Sequence, residues 1–338
     1  MFKFHDQSGA LYHSGAMAYI FDTHVLGLAG LFHDHLLVNL VAMLCLAHSM
    51  IIAGYMLHEC GHNTVFRDNR DNARLGTLLT WICGVPYTTY EDIRYKHFRH
   101  HVDNDDVMWF DYEKYLIDRP GLLRLVKFLE WFYIPAHDLL MHAVTAVSAF
   151  LITQRSGQRR RTTVNILIRL GMFMTICFFS LKAAVLYMIA YIMMMTVLRF
   201  MDSLQHDYPY RLNLYTDEVS PHKGDLAWEQ VHTFSPVISW RYEWPNWLVL
   251  NFGYHNAHHA KPTTPWFRLP ALHRQLFGDD PGRVIPLTSQ LKMFHRYRVD
   301  RILHDGNEAL DVEGEEFLQA ARQAQVDGGN AASFLTTV

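Results

Sequence analysis

One long apolar segment constrains the fold of this chain more than any other feature. Leu36–Leu57 holds 22 residues, and Asn39, His48 and Ser49 are its only polar members. A helix needs about 20 residues to cross the hydrocarbon core of a bilayer, so the segment predicts a membrane-spanning helix. Together with the apolar runs described below, it leads us to expect an all-α fold, in which membrane helical hairpins are capped by a helical layer.

A second hairpin is predicted by two apolar runs that meet at Lys182. Val164–Leu181 has 18 residues and Ala183–Met201 has 19. A single helix of the combined length would overshoot the membrane. The sequence therefore predicts two spans with a tight turn at Ser180–Lys182.

Two other apolar stretches are interrupted by polar residues. A weaker span is predicted at residues 14–33, where Asp22 and His24 break the run. Trp131–Ile152 contains Pro135 and three ionisable residues. This pattern favours an amphipathic helix lying in the membrane interface. The sequence thus predicts about four spans.

The distribution of positive charge predicts the topology. Arg155 and Arg159–Arg161 directly precede the second hairpin, and such clusters favour the cytoplasm. Every histidine-rich block then lies on the cytoplasmic side, with Lys182 outside. We expect an integral, multi-pass membrane protein (in the inner membrane if bacterial). Its single domain would cover 1–304, with a polar, frayed tail at 305–338.

The bulk composition excludes several other classes of protein. The net charge is −3, which does not indicate a nucleic-acid partner. The four cysteines show no CxxC spacing and predict reduced, buried thiols. The count of 22 histidines is unusual, because many of them are clustered.

Three histidine motifs dominate the polar blocks. They read HECGH at His58–His62, HFRHH at His97–His101 and HNAHH at His255–His259, and His206 follows the last predicted span. Positions i, i+3 and i+4 of a helix share one face, so each motif should present its imidazoles in one direction. Nine imidazoles suit two metal ions with about four or five ligands each, and imidazole suits iron, zinc or copper. The nine candidate ligands are His58, His62, His97, His100, His101, His206, His255, His258 and His259.

The first motif also satisfies HExxH, the signature of zinc metalloproteases. There His58 and His62 would hold zinc and Glu59 would act as general base. Such a site leaves seven clustered histidines unexplained. Gly61 beside a ligand also indicates a helix end instead of a helix interior. A membrane zinc protease is therefore a distant alternative.

The order of the three motifs resembles that of the membrane fatty acid desaturase family, over about Leu36–His273. Asn251–Tyr254 before the third motif and Pro265–Trp266 after it look like a bacterial branch. That branch includes desaturases and membrane enzymes that decarboxylate fatty acids to terminal alkenes. The resemblance implies two irons, held by the histidine motifs on the cytoplasmic side of a mainly four-helix membrane core.

The resemblance also implies the reaction and the partners. The expected activity is O2-dependent oxidation of a fatty acyl chain, above all desaturation, with dioxygen as co-substrate. Decarboxylation of a free fatty acid to a 1-alkene and acyl hydroxylation stay open as alternatives. The substrate would be a fatty acid or an acyl thioester in a lipid environment. Electrons would come from a separate ferredoxin-, rubredoxin- or cytochrome b5-like protein, since the chain has no HPGG signature.

Asp202 departs from the pattern of the family. His206 matches an extra histidine after the last span, and acyl-CoA desaturases carry a water-holding asparagine four residues earlier. A carboxylate at that place can position water, orient an imidazole or ligate iron. One helical turn separates Asp202 from His206, so we expect both side chains on one face. Carboxylates near the second motif are candidates to orient imidazoles: Glu91, Asp92, Asp103, Asp105 and Asp106.

Overall fold

A computed structural model of the protein describes residues 3–208, 211–303 and 312–329. Within these ranges the regular structure is almost entirely helical, which confirms the all-α prediction. The helices are α1 (Ala10–Gly30), α2 (Leu36–Gly61), α3 (Asn69–Ile82), α4 (Tyr90–Asp103), α5 (Tyr112–Ile117), α6 (Pro120–Trp131), α7 (Ala136–Leu151), α8 (Arg159–Phe179), α9 (Leu181–Asp202), α10 (Leu226–Val231), α11 (His255–Ala260), α12 (Leu269–Phe277), α13 (Leu287–Arg296) and α14 (Gly314–Arg322). Short 3-10 helices cover Gln7–Gly9, Thr153–Gln158, Trp244–Val249, Trp266–Arg268, Pro281–Arg283 and Asp300–Ile302.

The chain divides into two compact units. Unit 1 takes Met1–Ile93 and His142–Val197, and unit 2 takes Arg94–Met141 and Leu198–Thr337, within the described residues. Unit 1 holds the long apolar helices. Unit 2 is built from short helices and a parallel two-stranded ladder, in which Asp106–Met108 (β1) pairs with Arg211–Asn213 (β2).

Among the described residues, three helices are long and apolar enough to cross a membrane. They cover Leu36–Gly61, Thr153–Phe179 and Leu181–Asp202, in agreement with the three strong apolar runs. Ser180 alone separates α8 from α9, so the tight turn predicted there is confirmed. The middle helix begins earlier than predicted, and Arg155 near its start is buried and ion-pairs with Asp92 at 3.3 Å.

Helix α1 packs closely on α2 in unit 1. A Cβ atom at Gly30 would lie 2.6 Å from the Cβ of Ala42, so the two helices can approach only where the side chain is absent. Asn39 donates to the carbonyl oxygens of Gly30 and His33, both at 2.9 Å. This polar member of the apolar run therefore closes the turn between the two helices.

The turns of the two hairpins lie close together within unit 1. The Nζ of Lys182, at the start of α9, donates to the carbonyl oxygen of His33, between α1 and α2, at 2.6 Å. Both turns are thus at the same end of the unit, as the predicted topology requires.

The segment predicted as an interfacial helix, Trp131–Ile152, is helical only from Ala136. Helix α6 ends at Trp131, and Tyr133 has φ 62° in the intervening turn. Pro135 directly precedes α7, where its missing N–H costs no helical hydrogen bond. With 16 residues, α7 is shorter than the about 20 that a span needs.

The expectation of a frayed tail after residue 304 is wrong for part of that segment. Helix α14 buries Phe317 and Leu318 in an apolar cluster with Phe234, Ile285 and Met293 of unit 2. The polar composition of the segment conceals this apolar face of one short amphipathic helix. Residues 304–311 and 330–338 lie outside the described part of the chain.

Candidate metal centre

The three histidine motifs lie on helices or helix ends, as predicted. His58 is in the last turn of α2 and His62 follows its end at Gly61. The second motif lies in the last part of α4, and the third occupies α11. Helix α11 is short, but Tyr254 and Ala257 anchor it in a buried apolar cluster of unit 2.

His206 reaches the site in a way that differs from the prediction. Helix α9 ends at Asp202, and the chain then extends so that His206 forms an isolated antiparallel bridge with Thr233. The backbone N–H of Phe234 donates to the carbonyl oxygen of Gln205 at 2.8 Å. The expectation that Asp202 and His206 share a helical face is therefore wrong, because the helix stops before His206.

Four imidazoles of unit 2 form one group, called here the four-imidazole group. The Nε2 of His206 lies 3.1 Å from the Nε2 of His100 and 2.9 Å from the Nε2 of His255. His259 belongs to the same group, whose candidate ligand atoms all lie within 4.8 Å of one another. His206 thus brings the second and third motifs together.

Three further imidazoles of unit 2 form the three-imidazole group. The Nε2 of His101 lies 3.1 Å from the Nε2 atoms of both His97 and His258. In unit 1, the rings of His58 and His62 have their centroids 4.7 Å apart. All nine predicted residues are therefore clustered with other histidines of their own unit.

Each motif of unit 2 divides its imidazoles between the two groups. His97 and His101, four residues apart, join the three-imidazole group, while His100 joins the other. In the third motif, His255 and His259, four residues apart, belong to the four-imidazole group, whereas His258 lies beside His101 in the three-imidazole group. The expectation that each motif points all its imidazoles in one direction is wrong for these two motifs.

The Nδ1 atoms of His100 and His206, in the four-imidazole group, have partners away from its centre. The Nδ1 of His100 donates to the carbonyl oxygen of Asp105 at 3.0 Å, and that of His206 lies 3.1 Å from the hydroxyl of Thr233. A carbonyl oxygen only accepts, so neutral His100 carries its proton on Nδ1 and presents a lone pair at Nε2. This tautomer is the one that binds a metal through Nε2.

Burial favours the neutral form of these imidazoles. Burial lowers the pKa of His100 to about 4 and holds the pKa of His206 well below its usual value. Burial and neighbouring imidazoles lower the pKa of His259 as well. Metal ions bind the deprotonated ring nitrogen, so the site is prepared for a cation near neutral pH.

The geometry of the nitrogen atoms fits a metal. Two ligands at about 2.1 Å from an ion and at right angles lie about 3.0 Å apart. The Nε2 atom of His206 lies 3.1 Å from that of His100 and 2.9 Å from that of His255, and the Nε2 atoms of His258 and His101 are 3.1 Å apart. The Nε2 of His259 is buried and has no hydrogen-bond partner among the described residues. A bound cation would satisfy that nitrogen.

The carboxylates predicted beside the second motif have other neighbours. Asp103 is fully buried and ion-pairs with Arg99 and with Lys223. Asp92 accepts from Gln158 at 2.7 Å in unit 1. Asp105 contacts His100 through its backbone carbonyl.

Asp202 and Asp106 are buried and interact electrostatically with buried Lys96. The role of Asp202 as a ligand or as a water-positioning group stays a prediction. Glu91 is exposed.

Sequence reasoning missed the carboxylate that does contact a candidate ligand. The Oε1 of Glu229, on α10, lies 2.7 Å from the Nδ1 of His259. Both side chains are buried, and burial raises the pKa of Glu229 to about 8. Glu229 precedes the third motif by 26 residues, so no local spacing could have indicated the contact.

The first motif supports the helix-end interpretation. Helix α2 ends at Gly61, as that residue predicted. The Oε2 of buried Glu59 accepts from the hydroxyl of Thr64 at 2.6 Å. The carboxylate that a zinc protease would use as its general base therefore already holds the turn after the helix.

Comparison with known proteins agrees with the arrangement of the histidines. The sequence model of the fatty acid desaturase family matches residues 34–290, which include all nine candidate ligands. A protein of Bacillus subtilis (strain 168) described as "Fatty acid desaturase" is 25% identical over 264 residues, 72% of this chain and 71% of the relative. The histidine clusters, the apolar helices and the family match together indicate a membrane oxidoreductase that acts on fatty acyl chains. We conclude that the chain belongs to the fatty acid desaturase family.

Proposed function

We propose that the protein is a di-iron enzyme that uses dioxygen to introduce a double bond into a fatty acyl chain. The observation that carries this proposal is the pair of imidazole groups in unit 2, whose Nε2 atoms converge at metal-ligand spacing. All-imidazole ligation suits iron, and the family match adds the acyl substrate.

The nine histidines would hold the irons. The four-imidazole group would hold one ion, and the three-imidazole group would contribute to the second. The order of motifs in the family adds His58 and His62 to complete the ligand set. When bound, the irons would supply the reduction of dioxygen and the removal of hydrogen from an unactivated carbon.

The overall reaction defines the partners. A saturated –CH2–CH2– unit loses two hydrogen atoms and becomes –CH=CH–. One dioxygen takes these together with two electrons and two protons, and gives two waters. A separate electron-transfer protein must therefore supply two electrons per turnover. The protein would exclude water from the site and orient the acyl chain.

Product analysis tests the proposal. Expression in a host of known lipid composition should give new unsaturated acyl chains of unchanged length, measured by mass spectrometry of extracted lipids. A variant with His100 and His101 replaced by Ala is the matched control and should give none. Terminal alkenes one carbon shorter, detected in the headspace, would instead establish decarboxylation, and hydroxylated chains would establish hydroxylation.

We further propose that the histidine motifs face the cytoplasm. Cysteines are introduced at Phe110 and Arg160 in a background without native cysteines. Neither should react with an impermeant maleimide in intact cells, and both should react once the membrane is permeabilised. A cysteine at Lys182 is the control for the opposite face. Opposite accessibility of positions 110 and 160 would mean that the chain crosses the membrane between them, and would contradict the proposed topology.

A further inference from the structure

Arg169 occupies an unusual place in unit 1. It is the central residue of the 21-residue helix α8, and it lies about 8 Å inside the apolar run that begins at Val164 and is proposed to span the membrane. A charge at that depth is costly, and such residues usually serve a binding or transport function with a specific partner. The identity of the partner of Arg169 is therefore a question about function.

The protein satisfies Arg169 only in part. Its Nη1 donates to the carbonyl oxygen of Trp81 at 3.1 Å, and its Nη2 donates to the hydroxyl of Tyr187 at 3.3 Å. The side chain of Tyr87 is a third hydrogen-bond partner, and Tyr191, His24 and His142 interact with the guanidinium electrostatically. No carboxylate of the described residues pairs with it. Neutral oxygen atoms thus orient the guanidinium without neutralising its charge.

Two other polar residues of α8 differ from Arg169, because their contacts serve to attach the helix to a neighbouring segment. Asn165 donates to the carbonyl oxygen of Pro86 at 2.5 Å, and Arg161 donates to the carbonyl oxygens of Tyr87 and Thr88, both at 3.2 Å. These residues lie four apart on one face and attach α8 to the segment after α3. Arg169 continues that face, but it also lines a cavity.

The cavity is mostly apolar and has a volume of about 560 Å³. Leu28 of α1, Ile166 and Phe173 of α8 and Met188 of α9 line it, together with Trp81. Arg169 is the only lining residue with a permanent charge among the described residues, and no carboxylate lines the space. Small-molecule sites typically enclose about 300–1,000 Å³ and combine an apolar wall with a few polar groups.

We propose that this cavity binds a free fatty acid, with its carboxylate on Arg169 and its chain along the apolar wall. Arginine pairs with carboxylates through two parallel N–H groups, and of the five N–H groups of Arg169 its three neutral partners leave two for that contact. The charge of a carboxylate complements the guanidinium, which no carboxylate of the described residues neutralises. The site goes beyond the proposed oxidation, because a thioester or ester has no carboxylate for Arg169.

Fluorescence quenching tests the site without turnover. The purified full-length protein in nanodiscs is titrated under nitrogen with dibrominated stearic acid and, separately, with its methyl ester. Trp81 lines the cavity, so its emission, taken as the difference from a Trp81→Phe variant, should be quenched saturably by the acid. The ester should bind about 10-fold more weakly or worse, because it loses a charge-assisted contact.

Variants of α8 assign the effect to Arg169. Arg169→Gln should bind the acid and the ester equally weakly, and Arg169→Lys should keep part of the preference for the acid. Arg160→Gln removes a charge from an exposed position of the same helix and should bind as the wild type does.

Equal quenching by acid and ester in the wild-type protein would overturn the proposal, even if Arg169→Gln fails to fold. Full acid binding by a folded Arg169→Gln protein would overturn it too, and would leave Arg169 as a structural tether between helices. Acid binding with no oxidation of any lipid would support the cavity while contradicting the proposed enzyme activity, so the two failures are distinguishable.

Discussion

Replacing His206 by Ala is expected to abolish turnover and to lower the iron content from about two to about one per chain. His206 is buried, and its Nε2 lies within 3.1 Å of the Nε2 atoms of both His100 and His255. Removing it deletes the imidazole that lies between His100 of the second motif and His255 of the third in the four-imidazole group. The group of four candidate ligands contains no carboxylate or cysteine of the described residues that could take the place of a lost imidazole. An ion that loses one of the four imidazoles is therefore bound much more weakly.

Iron analysis of the purified protein, together with product analysis, measures the effect. His295→Ala is the control, since His295 is an exposed histidine of unit 2 whose imidazole contacts Tyr133. That variant should keep its iron and its activity. Full iron content and wild-type turnover in His206→Ala would show that His206 is not a ligand. Zinc near one per chain in the wild-type protein, with no iron after iron-supplemented growth, would reject the di-iron site.

Features that depend on neighbouring residues could be predicted from the sequence. The apolar runs Leu36–Leu57 and Ala183–Met201 correspond to α2 and α9, because the bilayer sets a minimum length for an apolar helix. Gly61 correctly indicated the end of α2. The positions of the three motifs on helices follow from their i, i+3 and i+4 spacing.

Features that depend on contacts distant in sequence could not be predicted. The spacing of the second motif does not reveal that His100 separates from His97 and His101, since that division depends on what packs against each side of α4. The end of α9 at Asp202 depends on the pairing of His206 with Thr233, 27 residues away. Average hydropathy also concealed Arg169, because one charge hardly alters the mean of a long apolar run.

The second large effect is expected at Glu229, which spacing alone could not identify. Glu229→Ala should lower activity or iron affinity by about 10- to 100-fold, the usual result of removing a group that orients a metal-bound imidazole. The Oε1 of Glu229 lies 2.7 Å from the Nδ1 of His259, so it holds the ring with Nε2 toward the other imidazoles. Without it, the ring can rotate and the buried Nδ1–H loses its acceptor.

Glu229→Gln separates this positioning role from a role in packing. The amide oxygen of Gln can still accept from Nδ1, so most of the iron affinity should be retained, whereas Ala removes the acceptor entirely. Iron affinity is measured by competition with a chelator, and Glu316→Ala, which changes an exposed glutamate of α14, serves as the control. If the Ala and Gln variants lost equal affinity, an amide oxygen at this position would not suffice to hold the imidazole of His259, and the carboxyl group itself would be required. If neither lost any, the orientation of His259 would depend on its packing against the other imidazoles, whose ring centroids lie 4.1 to 4.6 Å away at His101, His206 and His255.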